Sequence, residues 1–189
     1  MSVSAIDALE NRRTIRQYDP EYSIPKETID KIMHIAQLSP TACDFQGQDY
    51  IVVTNKSKLE KLEKIIIESL PENDFKKHFV ERRERHGVKN VVTCDAPCVV
   101  LIVKNERADE NWVKIDAGIA SMSIMMAARS FGIETMCLGV VAMDCTRDKC
   151  EELFGVKKGG MILGVALGKP RGELKLHEKK IKSKVTYDE

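Results

Sequence analysis

The sequence has no excess of charge of either sign, because 30 Lys and Arg stand against 29 Asp and Glu in 189 residues. That balance removes the global electrostatic case for nucleic acid or membrane binding, so any anion site must be local. No apolar run approaches the about 20 residues that a membrane-spanning helix needs. The first residues carry Asp7 and Glu10 and no long apolar segment, which argues against a secretory signal, and a cytoplasmic protein is expected. Internal repeats and low-complexity linkers are absent, so one globular unit over residues 1–189 is expected.

Zinc-type cysteine spacing is missing as well. Six cysteines stand at positions 43, 94, 98, 137, 145 and 150, but neither Cys94/Cys98 nor Cys145/Cys150 has CxxC spacing and no HxxxH accompanies them. No metal site is expected. In a cytosolic chain reduced thiols, buried or incidental, are the default, and a thiol redox sensor on either pair is the alternative.

What is present is an alternation of helical and strand-like segments. A short helix fits residues 2 to 10. A second runs from Pro25 to Leu38, where Ile29, Ile32, Met33, Ile35 and Ala36 recur at helical spacing and Pro40 closes the end. Asp49 to Thr54 reads as a buried strand, and Ser57 to Leu70 as a surface helix. Pro97 to Val103 is the strongest strand, with Glu134 to Val141 and Met161 to Leu167 as two more. Between them Asn111 to Phe131 is apolar on nearly every face, which predicts a helix buried all round. Its small residues Ala117, Gly118, Ala120, Ser121 and Ser123 suit the middle of a domain or a subunit interface. Its methionines are read as core rather than as a cofactor box. Residues 76–89 hold six Lys or Arg against two Glu and read as a solvated helix or loop.

Four segments carry candidate chemistry. Arg12, Arg13, Thr14 and Arg16 form RRTIR ahead of a turn at Asp19-Pro20. Guanidiniums bind phosphate oxygens bidentately and a hydroxyl adds a neutral donor, so the cluster suits a phosphate monoester, or else is an exposed basic turn. From Lys169 to Lys184 seven Lys or Arg face two Glu, which is either a solvated arm or a second contribution to the same anion. Ser39 to Gln46 is a junction loop between helix and strand, of the kind that carries function, or a helix stop with an Asx-type turn at Asp44. Gly132 to Gly139 leads from a helix terminator into a strand, and Gly139 either lets a flat ring lie on the backbone or marks a bend.

In this order the segments resemble the nitroreductase family. Arg12, Arg13, Thr14 and Arg16 match its R-R-S-x-R element, and Pro40 to Gln48 match P-S-A-x-N-x-Q-P-W. Asp116, Gly118 and Ala120 match D-x-G-x-A, Gly132 to Gly139 resemble its glycine-flanked strand, and Gly168-Lys169-Pro170 precede the basic tail. The resemblance spans almost the whole chain.

The resemblance implies an α+β sandwich with a central, mostly antiparallel sheet flanked by helices. It also implies an intertwined homodimer with FMN at its interface. It places the phosphate on Arg12, Arg13, Thr14, Arg16 and Lys179 or Lys180. Pro40, Thr41, Ala42, Asp44 and Gln46 fall where the family contacts the flavin or its surroundings, and Cys137, Leu138 and Gly139 where backbone faces the ring. The implied activity passes electrons from NADH or NADPH to a small electron-poor acceptor, a nitroaromatic or a quinone, by a ping-pong route without a catalytic acid or nucleophile. Reductive dehalogenation, flavin fragmentation or FMN binding without turnover are the alternatives. Two departures stand out: Asp44 replaces Asn, exchanging an amide for a negative charge, and Gly47-Gln48 replaces Pro-Trp, removing an aromatic wall.

Overall fold

The computed structural model describes residues 4–173 and 179–188. Its strands β1 (Gln48–Val53), β2 (Cys98–Lys104), β3 (Glu134–Leu138) and β4 (Met161–Gly168) form one antiparallel sheet in the order β1-β2-β4-β3. β2 is central, apolar and buried along all but its last residue, as a strand covered on both faces must be. Its side chains alternate between two layers. Val99, Leu101 and Val103 join one core, while Cys98, Val100 and Ile102 join the other.

The helices are α1 (Ala5–Asn11), α2 (Lys26–Gln37), α3 (Lys56–Ser69), α4 (Asp74–Val80), α5 (Arg82–His86), α6 (Val113–Ser130) and α7 (Arg147–Phe154). Leu59, Leu62 and Ile66 of α3, Phe79 of α4 and Cys150 of α7 fill the first layer. Ile32 and Ala36 of α2 and Ala117, Ala120, Ile124 and Ala128 of α6 fill the second. The result is the α+β sandwich with helices on both sheet faces.

Three expectations need correction. The strand expected over 134–141 stops at Leu138, and a 3-10 turn follows over Gly139–Ala142. The reason is local: the Thr146 hydroxyl donates to the Val140 carbonyl, and Arg147 donates from Nε and Nη2 to the Ala142 carbonyl at 3.1 and 2.7 Å. Those carbonyls are therefore used by side chains rather than by a neighbouring strand. The helix expected to be buried all round, α6, leaves Ile115 55% and Ile119 38% exposed, because α1, α2 and the sheet leave that side of it uncovered. Residues 76–89 are not a plain solvated surface either, since Phe79 and Arg82 are buried within α4 and α5. The first residues of the helix expected over 2–10, and residues 174–178 of the basic tail, lie outside the described residues.

Candidate functional site

The N-terminal arginine element is built onto the sheet. α1 ends at Asn11, and the chain then runs extended beside β3, with a parallel bridge between Thr14 and Thr135 and an Ile15 amide donating to the Thr135 carbonyl at 3.2 Å. Extended backbone alternates its side chains. Ile15 is therefore buried while Thr14 and Arg16 face outward. The same alternation in β3 buries Met136 and Leu138 and exposes Cys137. Arg16 meets Cys137, Leu138 and Gly139 across a cleft of about 300 Å³. Arg13 points its Nη1 at the carbonyls of Glu10 and Arg12, at 2.7 and 2.9 Å, and so closes the C-terminus of α1.

The opposite wall of this cleft comes from residues that sequence reasoning passed over, Phe79 and Arg82. The Arg82 guanidinium sits 4.0 Å above the Phe79 ring and donates from Nη1 to the Val91 carbonyl at 3.2 Å. Its Nε is buried with no hydrogen-bond partner among the described residues. Burial, then Arg16 among the charges, pushes the Arg82 pKa down. His86 is pushed down as well, by burial first and then by Arg16, Arg85, Arg82 and His78. A neighbourhood of mutually repelling cations favours an anion in the cleft. The detectable signal was an aromatic residue three positions before an arginine, across the junction between α4 and α5.

Cys137 responds to the same field. The residue is exposed, yet partial desolvation of its thiol raises its pKa, and Arg12 opposes that rise. Glu134, at the start of β3, is paired with Arg129, and burial raises its pKa against the pull of Arg129 and Arg12.

The loop after α2 is a separate construction. Cys43, Asp44 and Gln46 all hold left-handed backbone, with φ of 48°, 54° and 47°, a costly state for residues with side chains that persists only where the surroundings impose it. Here they do. The Ala42 amide donates to Asp116 Oδ1 at 3.1 Å, the Gln46 amide to Thr41 Oγ1 at 3.1 Å, and Gln46 Nε2 to Asp44 Oδ1 at 2.9 Å. Asn105 Nδ2 and Arg107 Nε reach the Gln46 and Phe45 carbonyls at 2.9 and 3.2 Å. Gly47 is needed because a Cβ there would lie 2.6 Å from the Ala108 Cα, so the proline of the family pattern could not stand there without moving the 105–108 turn.

Thr41 and Gln46 line a cleft of about 600 Å³ with Gln37, Tyr50 and Arg107. Pro40 and Asp44 are exposed and Ala42 is half-buried beside it. Its lining shares no residue with the Arg16 cleft. Within one chain, then, Arg16 is brought together with Cys137–Gly139, and Pro40–Gln46 are not. Lys179 and Lys180 lie in an exposed stretch, with no hydrogen bond or ion pair to Arg12, Thr14 or Arg16 among the described residues.

All six cysteines are unpaired; Cys94, Cys98 and Cys150 are buried and Cys43, Cys137 and Cys145 exposed. Burial pushes the Cys94 thiol up to about 11 and the Cys98 and Cys150 thiols up to about 12, which starves the Cys94/Cys98 pair of the thiolate a redox sensor needs. Among the described residues no group of three or more His, Cys, Asp or Glu could hold a metal ion, and no helix is long and apolar enough to cross a membrane.

Fold and cleft together define an α+β sandwich with a cationic pocket against the end of an edge strand. The nitroreductase family model matches residues 9–169, and the chain belongs to the nitroreductase family. A Methanothermobacter thermautotrophicus protein named as NADH dehydrogenase/NAD(P)H nitroreductase is 29% identical over 157 residues, covering 82% of this chain and 70% of that one. The CLA biosynthesis enone reductase of Lactiplantibacillus plantarum is 22% identical, covering 96% of this chain and 92% of that one. The structure of a Bacteroides fragilis nitroreductase with bound FMN superposes with a TM-score of 0.81 at 23% identity, each chain covered in full. A Desulfitobacterium hafniense nitroreductase with bound FMN gives 0.82 at 22% identity, again over the whole of both chains.

Proposed function

We propose that the chain is an FMN-dependent oxidoreductase, one FMN-binding unit over residues 1–189 working as a homodimer. It passes electrons from NADH or NADPH to small electron-poor acceptors such as nitroaromatics and quinones. The observation that carries this is the meeting of Arg16 and the buried Arg82, whose Nε has no hydrogen-bond partner among the described residues, with Cys137–Gly139 in one cleft. These residues fit a flavin phosphoester. Two guanidiniums supply charge-assisted donors, and Gly139 leaves open space where a Cβ would stand.

When bound, FMN supplies the acceptance and release of hydride, so the chain needs no acid or nucleophile of its own. Arg12, Thr14 and Arg16 hold the phosphate, with Arg13 ordering the element and Lys179 or Lys180 closing over it. The backbone of Cys137, Leu138 and Gly139 faces the ring. Pro40, Thr41, Ala42, Asp44 and Gln46 wall the ring from a second copy, a reading supported by their separation from the Arg16 cleft and by the exposed Trp112, Ile115 and Ile119 near and on α6. Donor and acceptor then take turns in one opening, which is ping-pong kinetics.

The test is the visible absorption spectrum of purified protein, with and without added FMN, before and after anaerobic NADH or NADPH. A flavin spectrum that bleaches with the dinucleotide and returns with a quinone is expected. A colourless protein that takes up no added FMN overturns the proposal.

A further inference from the structure

We propose that a second cleft, on the other side of Gly139, receives the carboxylate of a monocyclic aromatic electron acceptor. The inference rests on the flavin reading above, because Gly139 lines both this cleft and the one containing Arg16. The second cleft measures about 420 Å³, with Lys104, Lys114 and Arg147 around Met161, Ile162 and Leu163. Among the described residues no carboxylate lines it.

The fold brings these cations together. Lys104 ends β2, Lys114 is in the first turn of α6 and Arg147 opens α7, and all three surround the beginning of β4. Lys104 Nζ is 2.7 Å from the Glu110 carboxylate, and Arg147 Nη2 is 3.1 Å from Asp144 Oδ1. Both acids are largely exposed and stand outside the lining, so they screen these two cations only in part. Glu151 is turned away, its carboxylate accepting the Gly159 and Met161 amides at 3.0 and 2.9 Å. Lys114 is exposed and has no hydrogen bond or ion pair among the described residues. Arg147 is fixed in place by its two bonds to the Ala142 carbonyl.

One cation is thus uncompensated, one is immobilised, and both border apolar side chains. An apolar floor with a cationic rim matches the two ends of an aromatic acid. The volume is in the range of small-ligand pockets and admits a substituted benzene ring, but not a whole dinucleotide. The ring would stand next to Gly139, where the proposed cofactor's reactive portion faces the opening.

The experiment is calorimetric titration of FMN-loaded oxidised protein with 4-nitrobenzoate and with its neutral isostere 4-nitrobenzamide, in the wild type, Lys114→Gln and Lys114→Glu. Lys114 has no side-chain partner among the described residues, so both variants should fold; because it lies between Trp112 and Ile115, on the side proposed to meet the second copy, an unchanged oligomeric state and FMN spectrum are checked before each titration. 4-Nitrobenzoate affinity should fall about 10-fold in Lys114→Gln, the loss of one charge-assisted contact, and further in Lys114→Glu, while 4-nitrobenzamide changes less than about two-fold. Equal loss for both probes, or no loss for 4-nitrobenzoate, overturns the proposal. So does a loss confined to NADP⁺, titrated in parallel as a third probe, which would make the donor's phosphate the occupant. Failure to take up FMN sinks the proposed function instead. The same titration on flavin-free protein still decides whether the cleft selects the carboxylate.

Discussion

The backbone amide of Ala42 donates to the buried carboxylate of Asp116 at 3.1 Å. A loop whose residues 43, 44 and 46 are left-handed is thereby tied to the long central helix. Asp116 is 4% exposed. Its position in the D-x-G-x-A pattern is explained by this tie, since a shorter or apolar residue would leave a half-buried amide unpaired and release the strained backbone.

Asp116→Ala should accordingly lower stability by about 1–3 kcal/mol, the cost of leaving a buried group unsatisfied. Asp116→Asn should cost less, because an amide oxygen can still accept. Urea denaturation measures both. Faster hydrogen exchange at Ala42 and Gln46 should accompany the loss in Asp116→Ala, and identical stability for all three proteins would detach the loop from α6.

Gly47→Ala tests the departure from the family pattern. A Cβ 2.6 Å from the Ala108 Cα cannot be relieved by rotating a side chain, since the obstacle is backbone. Overpacking of this kind costs about 1–3 kcal/mol, and the expected result is a lowered Tm with exchange faster in both the 41–48 and 105–108 segments. An unchanged Tm would mean that the turn yields freely and that Gly47 has some other cause.

The elements themselves were largely legible in the sequence, and the reason is periodicity. β2 with its unbroken apolar run and α2 with its spaced isoleucines declare their environment one residue at a time. Two things were hidden. The end of β3 is decided by Thr146 and Arg147, whose side chains capture carbonyls several residues upstream, a contact that no local pattern encodes. Arg82 was hidden because a charged residue in a charged run reads as solvated. Only the fold shows that Phe79 carries its guanidinium into the cleft. Arg12, Thr14 and Arg16 were visible as a cluster, but only the fold shows that Arg16 lines a cleft with Cys137–Gly139, two residues beyond the bridge between Thr14 and Thr135. Pro40–Gln46 flank a different cleft of the same chain, and their meeting with the Arg16 cleft through a second copy is part of the proposed function.

Arg16→Gln and Arg82→Gln should separate binding from folding. Arg16 is exposed in the cleft and has no structural hydrogen bond among the described residues, so its replacement should leave Tm within about 1 °C while weakening FMN binding at least about 10-fold. Arg82 holds the Val91 carbonyl and lies on Phe79, so its replacement should cost both stability and FMN affinity. Fluorescence titration with FMN gives the affinities. Full FMN affinity in Arg16→Gln would remove it from the phosphate site.

Glu63 predicts a pH dependence. It accepts the Val91 amide at 2.7 Å and lies 3.6 Å from Arg83, yet burial raises its pKa above the ordinary 4.5, with the hydrogen bond and Arg83 opposing. The folded chain therefore binds this proton more tightly than the unfolded chain. Above the raised pKa both states are ionised and burial of the charge works against folding. As pH falls through that value towards 4.5 the folded state protonates first and stability from this group rises. Glu63→Gln has no such proton, so the stability of wild type relative to Glu63→Gln should increase as pH is lowered through this window. A difference that is flat across it, measured by urea denaturation at each pH, would contradict the assignment.

The cysteines report on the clefts directly. Alkylation needs thiolate and access together. Cys94, Cys98 and Cys150 have neither, being buried with pKa values pushed up to about 11, 12 and 12. Iodoacetamide at about pH 8, where an ordinary exposed thiol is partly ionised, should therefore modify at most Cys43, Cys137 and Cys145 in the native protein and all six in denaturant. Cys137 points outward from β3 beside Gly139, so added FMN should slow its modification while Cys145, outside that cleft, continues to react. Site-resolved mass spectrometry of timed samples distinguishes the cases. Protection of Cys137 by FMN and not by riboflavin at equal concentration would tie the effect to the phosphate grip of Arg12, Thr14 and Arg16. Equal protection by both would leave the ring contact and take the phosphate away from those residues.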